Sequence, residues 1–193
     1  MHAVPFNPIL LDLPDSIETE RLLLRAPRPG DGALVLPSVL ETLQDLRRFP
    51  ASMTWAMSEQ SMATVEEYCR RSAADWLLRK EFPFLMLARD GGRHIGNCGI
   101  HRFDWERRVF EVGWWCRHAE QGQGYVTEAA RALIEFCFKH CGARRVWCFA
   151  DDANEKSWRV AERAGLTYEG TLRSERADPD GTRRDMRVYA ITR

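Results

Sequence analysis

Gly122 and Gly124 stand directly before a run of helical periodicity, and no other stretch of the chain has so plain a chemical use. Glycine accepts positive φ without steric cost, so the loop can tighten as it enters the helix and leave backbone N–H groups exposed. The first N–H groups of a helix have no partner within it and lie at the positive end of its dipole, which makes such a turn a cradle for phosphate. The same residues also suit a strand-to-helix turn with no ligand, and their spacing leaves both readings open. Two familiar phosphate loops are excluded. A dinucleotide fingerprint requires a third glycine where Thr127 stands, and no Lys-Ser or Lys-Thr pair follows these glycines as a nucleoside triphosphate loop requires.

The helix that the loop enters is well marked. Val126, Ala130, Leu133 and Cys137 recur on one face, with Glu128, Arg131, Glu135 and Lys139 on another, and Gly142 can take the left-handed closing position. Before it, residues 82–89, 93–103 and 108–116 read as an antiparallel meander with a hairpin turn at Asp90-Gly91-Gly92. Gly96 and Gly99 mark a bulge or a close approach within it. After the helix, residues 145–150 form a strand parallel to its predecessor, the helix being the crossover. Asn154 or Asp152 caps a short helix through Ala164, which Gly165 closes, and strands 166–173 and 184–191 follow, joined by a polar loop at 174–183.

The N-terminal part is less regular. Residues 1–18 carry Pro5, Pro8 and Pro14 and read as an irregular arm, so a single domain is expected over 19–193. A strand follows at 20–25, then a helix at 33–48 capped by Asp31 and bent or shortened by Pro37. A loop bearing Met53, Trp55 and Met57 either lines a pocket or covers the core, and a second helix runs from Ser58 or Ser61 to about Lys80. The expected fold is α/β (α+β): a mixed, mostly antiparallel sheet of about seven strands flanked by about four helices.

Lys plus Arg and Asp plus Glu each total 28, which argues against nonspecific binding to nucleic acid. No stretch is apolar enough to span a bilayer, and the start lacks a signal-peptide pattern, so no membrane partner and a cytoplasmic location are expected. The six cysteines form no Cys-x-x-Cys pair; Cys137 and Cys141 lie one helical turn apart and read as small buried thiols, so no metal is expected.

Gln121-Gly122-Gln123-Gly124-Tyr125-Val126-Thr127-Glu128-Ala129 resembles the coenzyme A pyrophosphate loop of the GNAT superfamily of N-acetyltransferases, most closely its Rim-type branch, which acetylates protein N-termini. Glu18 to Arg25 resembles the opening of that branch, and Asn154-Glu155-Lys156-Ser157 the second half of its cofactor site, so the likeness covers roughly residues 18 to 192. Two positions depart from the superfamily pattern: Ala119 stands where Arg or Gln is common, and Ala161 where many members place a Tyr. The resemblance implies acetyl coenzyme A as cosubstrate, held by Trp115, Cys116 and Arg117 at the strand end, by Gln121 to Val126, and by Asn154 with Ser157. It also implies a GNAT fold. Glu111, in the Glu-x-Gly-aromatic pattern before Trp114, is the implied base that deprotonates the amine; a cross-strand ion pair is the other reading of that residue. Ser157 is the implied donor to the departing thiolate, and a backbone N–H near Trp115 or Cys116 would hold the oxyanion if the strand bulges there. His101 and His118 are weaker base candidates.

Direct attack of a primary amine on the thioester needs no covalent enzyme intermediate, so Cys116 is read as structural. The acceptor implied is a protein N-terminal α-amine. A small-molecule amine and a coenzyme A-binding module without catalysis are the alternatives. The acceptor pocket is expected from residues 50–57, the 174–183 loop and Trp105, while the sequence leaves monomer and homodimer open.

Overall fold

The structure, a computed structural model, describes residues 6–193; residues 1–5 of the expected arm lie outside the described residues. The element order is β1 (Ser16–Glu18), β2 (Leu22–Arg25), α1 (Gly32–Leu46), α2 (Met62–Leu77), β3 (Phe82–Ala88), β4 (His94–Asp104), β5 (Val109–Cys116), α3 (Tyr125–His140), β6 (Arg145–Asp151), α4 (Glu155–Ala164), β7 (Thr167–Ala177) and β8 (Arg183–Thr192). All eight strands join one sheet in the order β1-β2-β3-β4-β5-β6-β8-β7. Only the β5–β6 pair is parallel, because α3 carries the chain across between them. Among the described residues no helix is long and apolar enough to cross a membrane, and no group of three His, Cys, Asp or Glu side chains could hold a metal.

Period-two alternation in β3 divides the core between the two faces of the sheet. Phe82, Phe84 and Met86 join Leu133 and Cys137 of α3 on one face. Leu85 and Leu87 pack with Val35, Val39, Val65 and Cys69 of α1 and α2 on the other. Both faces being covered, every residue of β3 is buried.

Several expectations need correction. The arm is partly ordered: Ser16–Glu18 forms β1 against β2, with Ile17 opposite Leu24, a strand too short to show alternation in sequence. Asp31 occupies the N-cap position of α1 but makes no cap bond, because its carboxylate is held by Arg25. Glu66 of α2 instead accepts from Gly30 N at 2.8 Å and Gly32 N at 3.1 Å. Pro37 lies inside α1, which continues past it to Leu46. Ser61, not Ser58, starts α2 through a reciprocal capping box with Thr64. Half of the 174–183 loop is strand, since β7 runs to Ala177 through an irregularity between Leu172 and Arg176 and β8 starts at Arg183.

The β5–β6 pairing ends early. It joins Val109 to Arg145, Phe110 to Val146 and Glu111 to Trp147, yet β5 continues to Cys116 and β6 to Asp151. Past Glu111 the two strands diverge and open a wedge in the sheet. Gly96 makes that stretch of β5 possible from behind: a Cβ there would lie 2.3 Å from the Trp115 carbonyl oxygen. This is the close approach that its glycine signals.

Candidate active site

The glycine loop opens onto a cleft of ≈ 660 Å³ between the end of α1, the end of β5 and α4. Gly122 and Gly124 have φ of +78° and +82°, the left-handed region, and Gly124 is the N-cap of α3. No side chain caps that helix, and its first internal bond runs from Glu128 N to Gly124 O at 3.1 Å. The N–H groups of Tyr125, Val126 and Thr127 therefore have no acceptor among the described residues. A first-turn glutamate would oppose an anion here. Glu128 is turned to the β1–β2 hairpin instead, accepting from Thr19 Oγ1 at 2.6 Å, Arg21 N at 2.8 Å and Arg21 Nε at 2.7 Å. Arg21 Nη1 also donates to the Gln123 carbonyl at 2.9 Å, so one arginine neutralises the acid and fixes the loop.

Arg48, Lys156, Arg159 and Arg163 line the same cleft. Gln121 spans its mouth, donating to Asp45 at 3.1 Å and accepting from Lys156 Nζ at 3.0 Å. The wall between loop and wedge is the free edge of β5. Arg117 N donates to Ile95 O at 2.8 Å, so in the β4–β5 ladder Gly113, Trp115 and Arg117 exchange bonds with β4. Antiparallel alternation then aims the N–H and C=O of Trp114 and Cys116 into the wedge, where β6 no longer pairs with them. The ladder is in regular register from Cys116 to Glu111, so the expected bulge at Trp115 is absent; strand divergence, not a bulge, frees the donors. Exposed helix N–H groups, four cationic side chains and an unpaired strand edge suit a ligand with phosphates at one end and amides along its length.

A second cavity, of ≈ 490 Å³, lies on the other side of the wedge. The two share Met53, Trp114, Trp115, Asn154 and Ser157, so they adjoin along these residues. Asn154 caps α4 by accepting from Ser157 N at 3.2 Å, which fixes Ser157 at the junction. No hydrogen bond among the described residues occupies the Ser157 hydroxyl. Glu111 is buried in the second cavity, with Oε1 accepting from Arg102 Nη2 at 2.9 Å and Oε2 unpartnered. Burial pushes its carboxyl above the usual range, against the pull of Arg102, Arg176 and His101. Arg102 reaches it from a register shift in β4 between His101 and Asp104, where its φ is +39°. An irregular, strained residue that re-aims a charge into a cavity is a common mark of a functional site.

Most of the residues expected at the cofactor line the first cleft: Trp115, Cys116, Gln121, Gly122, Gly124, Tyr125, Val126, Asn154 and Ser157. Arg117 and Gln123 do not. Arg117 is paired with Glu41 at 2.6 Å, whose other oxygen accepts from Ala119 N at 2.9 Å, so this acid supports the loop where the superfamily often uses a side chain at position 119. His118 is exposed and bonded to Asp45 at 2.6 Å, outside the second cavity; His101 lines that cavity, 3.4 Å from Glu81. Trp105 is turned away into an aromatic cluster with Phe82, Phe103 and Phe110. Burial pushes the Cys116 thiol up to about 12, which leaves it protonated at neutral pH, and all six cysteines are free. Arg159 and Arg163 are further cleft residues, at a helical spacing of three and four from Lys156 of the Asn154–Ser157 motif; Arg48, Arg102, Asp151 and Arg176 carry no comparable pattern.

Residues 21–167 match the model of the acetyltransferase (GNAT) domain family. The chain belongs to the GNAT acetyltransferase family. Membership makes acetyl coenzyme A the acetyl donor of this N-acetyltransferase, and the first cleft has the groups to hold it. Among relatives, YdaF of Bacillus subtilis (strain 168), a ribosomal N-acetyltransferase by name only, is 27% identical over 176 residues, covering 89% of this chain and 91% of that one. The ribosomal-protein-serine acetyltransferase of Escherichia coli (strain K12) is 33% identical over 81 residues, 41% of this chain and 44% of that one. In fold the acetyltransferase resembles RimL, a ribosomal L7/L12 α-N-protein acetyltransferase solved with coenzyme A, at a TM-score of 0.83 and 20% identity, covering 92% of this chain and 97% of that one.

Proposed function

We propose that this acetyltransferase transfers the acetyl group of acetyl coenzyme A to the α-amine of a protein N-terminus. The observation that carries this reading is the junction at Ser157, where an anion-binding cleft meets a cavity with a buried carboxylate. The kinship to acetyltransferases of ribosomal proteins supports a protein as the acceptor.

An α-amine has a pKa of about 8 and is largely protonated at neutral pH, so attack requires proton removal. Glu111 accepts the first proton; its raised affinity brings it nearer to that of the amine. The nitrogen lone pair then forms the C–N bond at the thioester carbon, and the backbone N–H of Cys116 or Trp114 at the open strand edge faces the oxygen on which charge develops. As the C–S bond breaks, the Ser157 hydroxyl donates a hydrogen bond to the sulfur, which takes the second proton shed by nitrogen. Arg48, Lys156, Arg159, Arg163 and the N–H groups at the start of α3 hold the phosphates.

The test is thermal unfolding with and without excess acetyl coenzyme A, followed by thiol release with peptides bearing free N-termini and with small amines. A ligand at about 100 times its Kd adds roughly 2.7 kcal/mol. The shift should be present in the parent and reduced in Gly124→Trp, and thiol release should depend on a peptide α-amine. Release with small amines alone would overturn the protein N-terminus as acceptor.

A further inference from the structure

Among the described residues eight buried side-chain polar atoms lack a hydrogen-bond partner, and four of them belong to residues lining the second cavity: Ser52 Oγ, Glu111 Oε2, Trp114 Nε1 and Asp151 Oδ2. An unsatisfied buried polar group is costly, so a native fold carries few, and their concentration in one cavity marks where a ligand completes them. Glu111 is accounted for by the chemistry above. Asp151 is not.

Asp151 closes β6, four residues beyond Trp147, where the pairing with β5 stops, and so stands about 13 Å of strand further along the wedge. Its residue is only 3% exposed. Oδ1 accepts from Ala153 N at 2.9 Å and shapes the turn into α4, which leaves Oδ2 alone without a partner. Two cations feel its charge: Arg176 spends a donor on the Ala51 carbonyl at 3.4 Å and lies over the Phe149 ring, and Arg184 is bonded to Asp178. Glu81, the remaining acid in the lining, is engaged with His101. Glu111 from β5 and Asp151 from β6 therefore present two buried, unpartnered carboxylate oxygens to this cavity from opposite sides of the wedge.

We infer that Asp151 is a second recognition carboxylate, which accepts a hydrogen bond from the acceptor's ammonium group and selects acceptors that arrive as primary ammonium ions. An ammonium has three N–H donors, so it can bond Asp151 as it enters the wedge and give up a proton once it has moved along the wedge to Glu111. A charge-assisted bond to a buried carboxylate favours the charged amine over a neutral group of the same shape. The inference rests on the acceptor being a primary amine, but not on its being a protein N-terminus.

The test is calorimetric titration of the full chain saturated with coenzyme A, so that binding proceeds without turnover. The probes are Ser-Ala-Ala-Phe amide against the same peptide lacking its α-amine, and phenethylamine against 2-phenylethanol. The parent should prefer the amine of at least one pair by roughly ten- to a hundred-fold. Asp151→Asn keeps the Oδ1 acceptor for Ala153, and should lose most of that preference while its coenzyme A affinity and Tm stay unchanged; in turnover, KM for the amine should rise with kcat nearly intact. Preference in the phenethylamine pair alone would overturn the N-terminus reading and still support Asp151. A parent with no preference in either pair, or an Asp151→Asn variant that keeps it, would overturn the inference, as would a loss shared equally with the amine-free probes.

Discussion

Replacing Glu111 by Gln separates its role in the reaction from any role in holding the sheet together. Glutamine has nearly the same shape and can still accept from Arg102 through Oε1, the contact seen at 2.9 Å, so the local geometry is preserved. What disappears is the proposed proton acceptor. General-base catalysis contributes about 10²–10⁴-fold, or roughly 2.7–5.4 kcal/mol of barrier, and kcat/KM should fall by that factor. Stability should not fall with it. The folded-state pKa is raised by burial, so between the usual carboxylate value and that raised value the folded protein holds a proton that the unfolded chain has released. Stability contributed by Glu111 is therefore full below the ordinary carboxylate pKa and is lost as pH climbs through the raised one. Above that window the ionised side chain sits buried with one oxygen unpartnered, whereas glutamine carries no charge there. Glu111→Gln should thus match or exceed the parent in Tm at pH 8 and lack the parent's decline across the window. Thiol release measured from pH 5 to 9 and thermal unfolding across the same range check both halves. Turnover within threefold of the parent would refute Glu111 as the base. A fall in activity accompanied by a fall in Tm and in the shift induced by acetyl coenzyme A would refute the claim that the residue acts in the reaction without supporting the fold.

Two other substitutions are informative. Ser157→Ala removes one hydrogen bond to a thiolate that is already an adequate leaving group, so kcat should drop only roughly two- to ten-fold in the same thiol assay, with affinity for acetyl coenzyme A retained because Asn154 still caps α4 through the Ser157 N–H. Gly96→Ala places a Cβ 2.3 Å from the Trp115 carbonyl oxygen and 2.9 Å from Cys116 Cα, at φ +147°; strain and overpacking of about 3 kcal/mol should lower Tm by about 6 to 12 °C in thermal unfolding and disturb the β5 edge.

The parts of the site that are local in the chain were legible from residue types. Gly122 and Gly124 take the positive φ that only glycine accepts freely, Asn154 caps α4, Gly165 closes it at φ +99°, and the apolar run after α3 forms the one parallel neighbour that a helical crossover allows. These depend on backbone sterics and on bonds spanning three or four residues, so the sequence contains their causes. β1 was missed because three residues are too few to display alternation, and α1 kept its length through Pro37 because Val35, Val39 and Leu46 are buried around it.

The sequence by itself determined the glycine loop before α3, the order of strands and helices from β2 onward, and the positions of Glu111 and Ser157 along the chain. Tertiary structure alone decided that the two residues line one cavity, that the Glu111 carboxyl is buried and raised, that Arg102 bonds it while Asp151 lines the same cavity, and that Arg21 neutralises Glu128, a residue more than a hundred positions away. Burial and electrostatic neighbourhood depend on which segments pack together, and here that is set by the divergence of β5 from β6 beyond Glu111. No spacing of residues encodes that divergence, because it arises where the ladder's hydrogen bonds give way to a space large enough for a ligand.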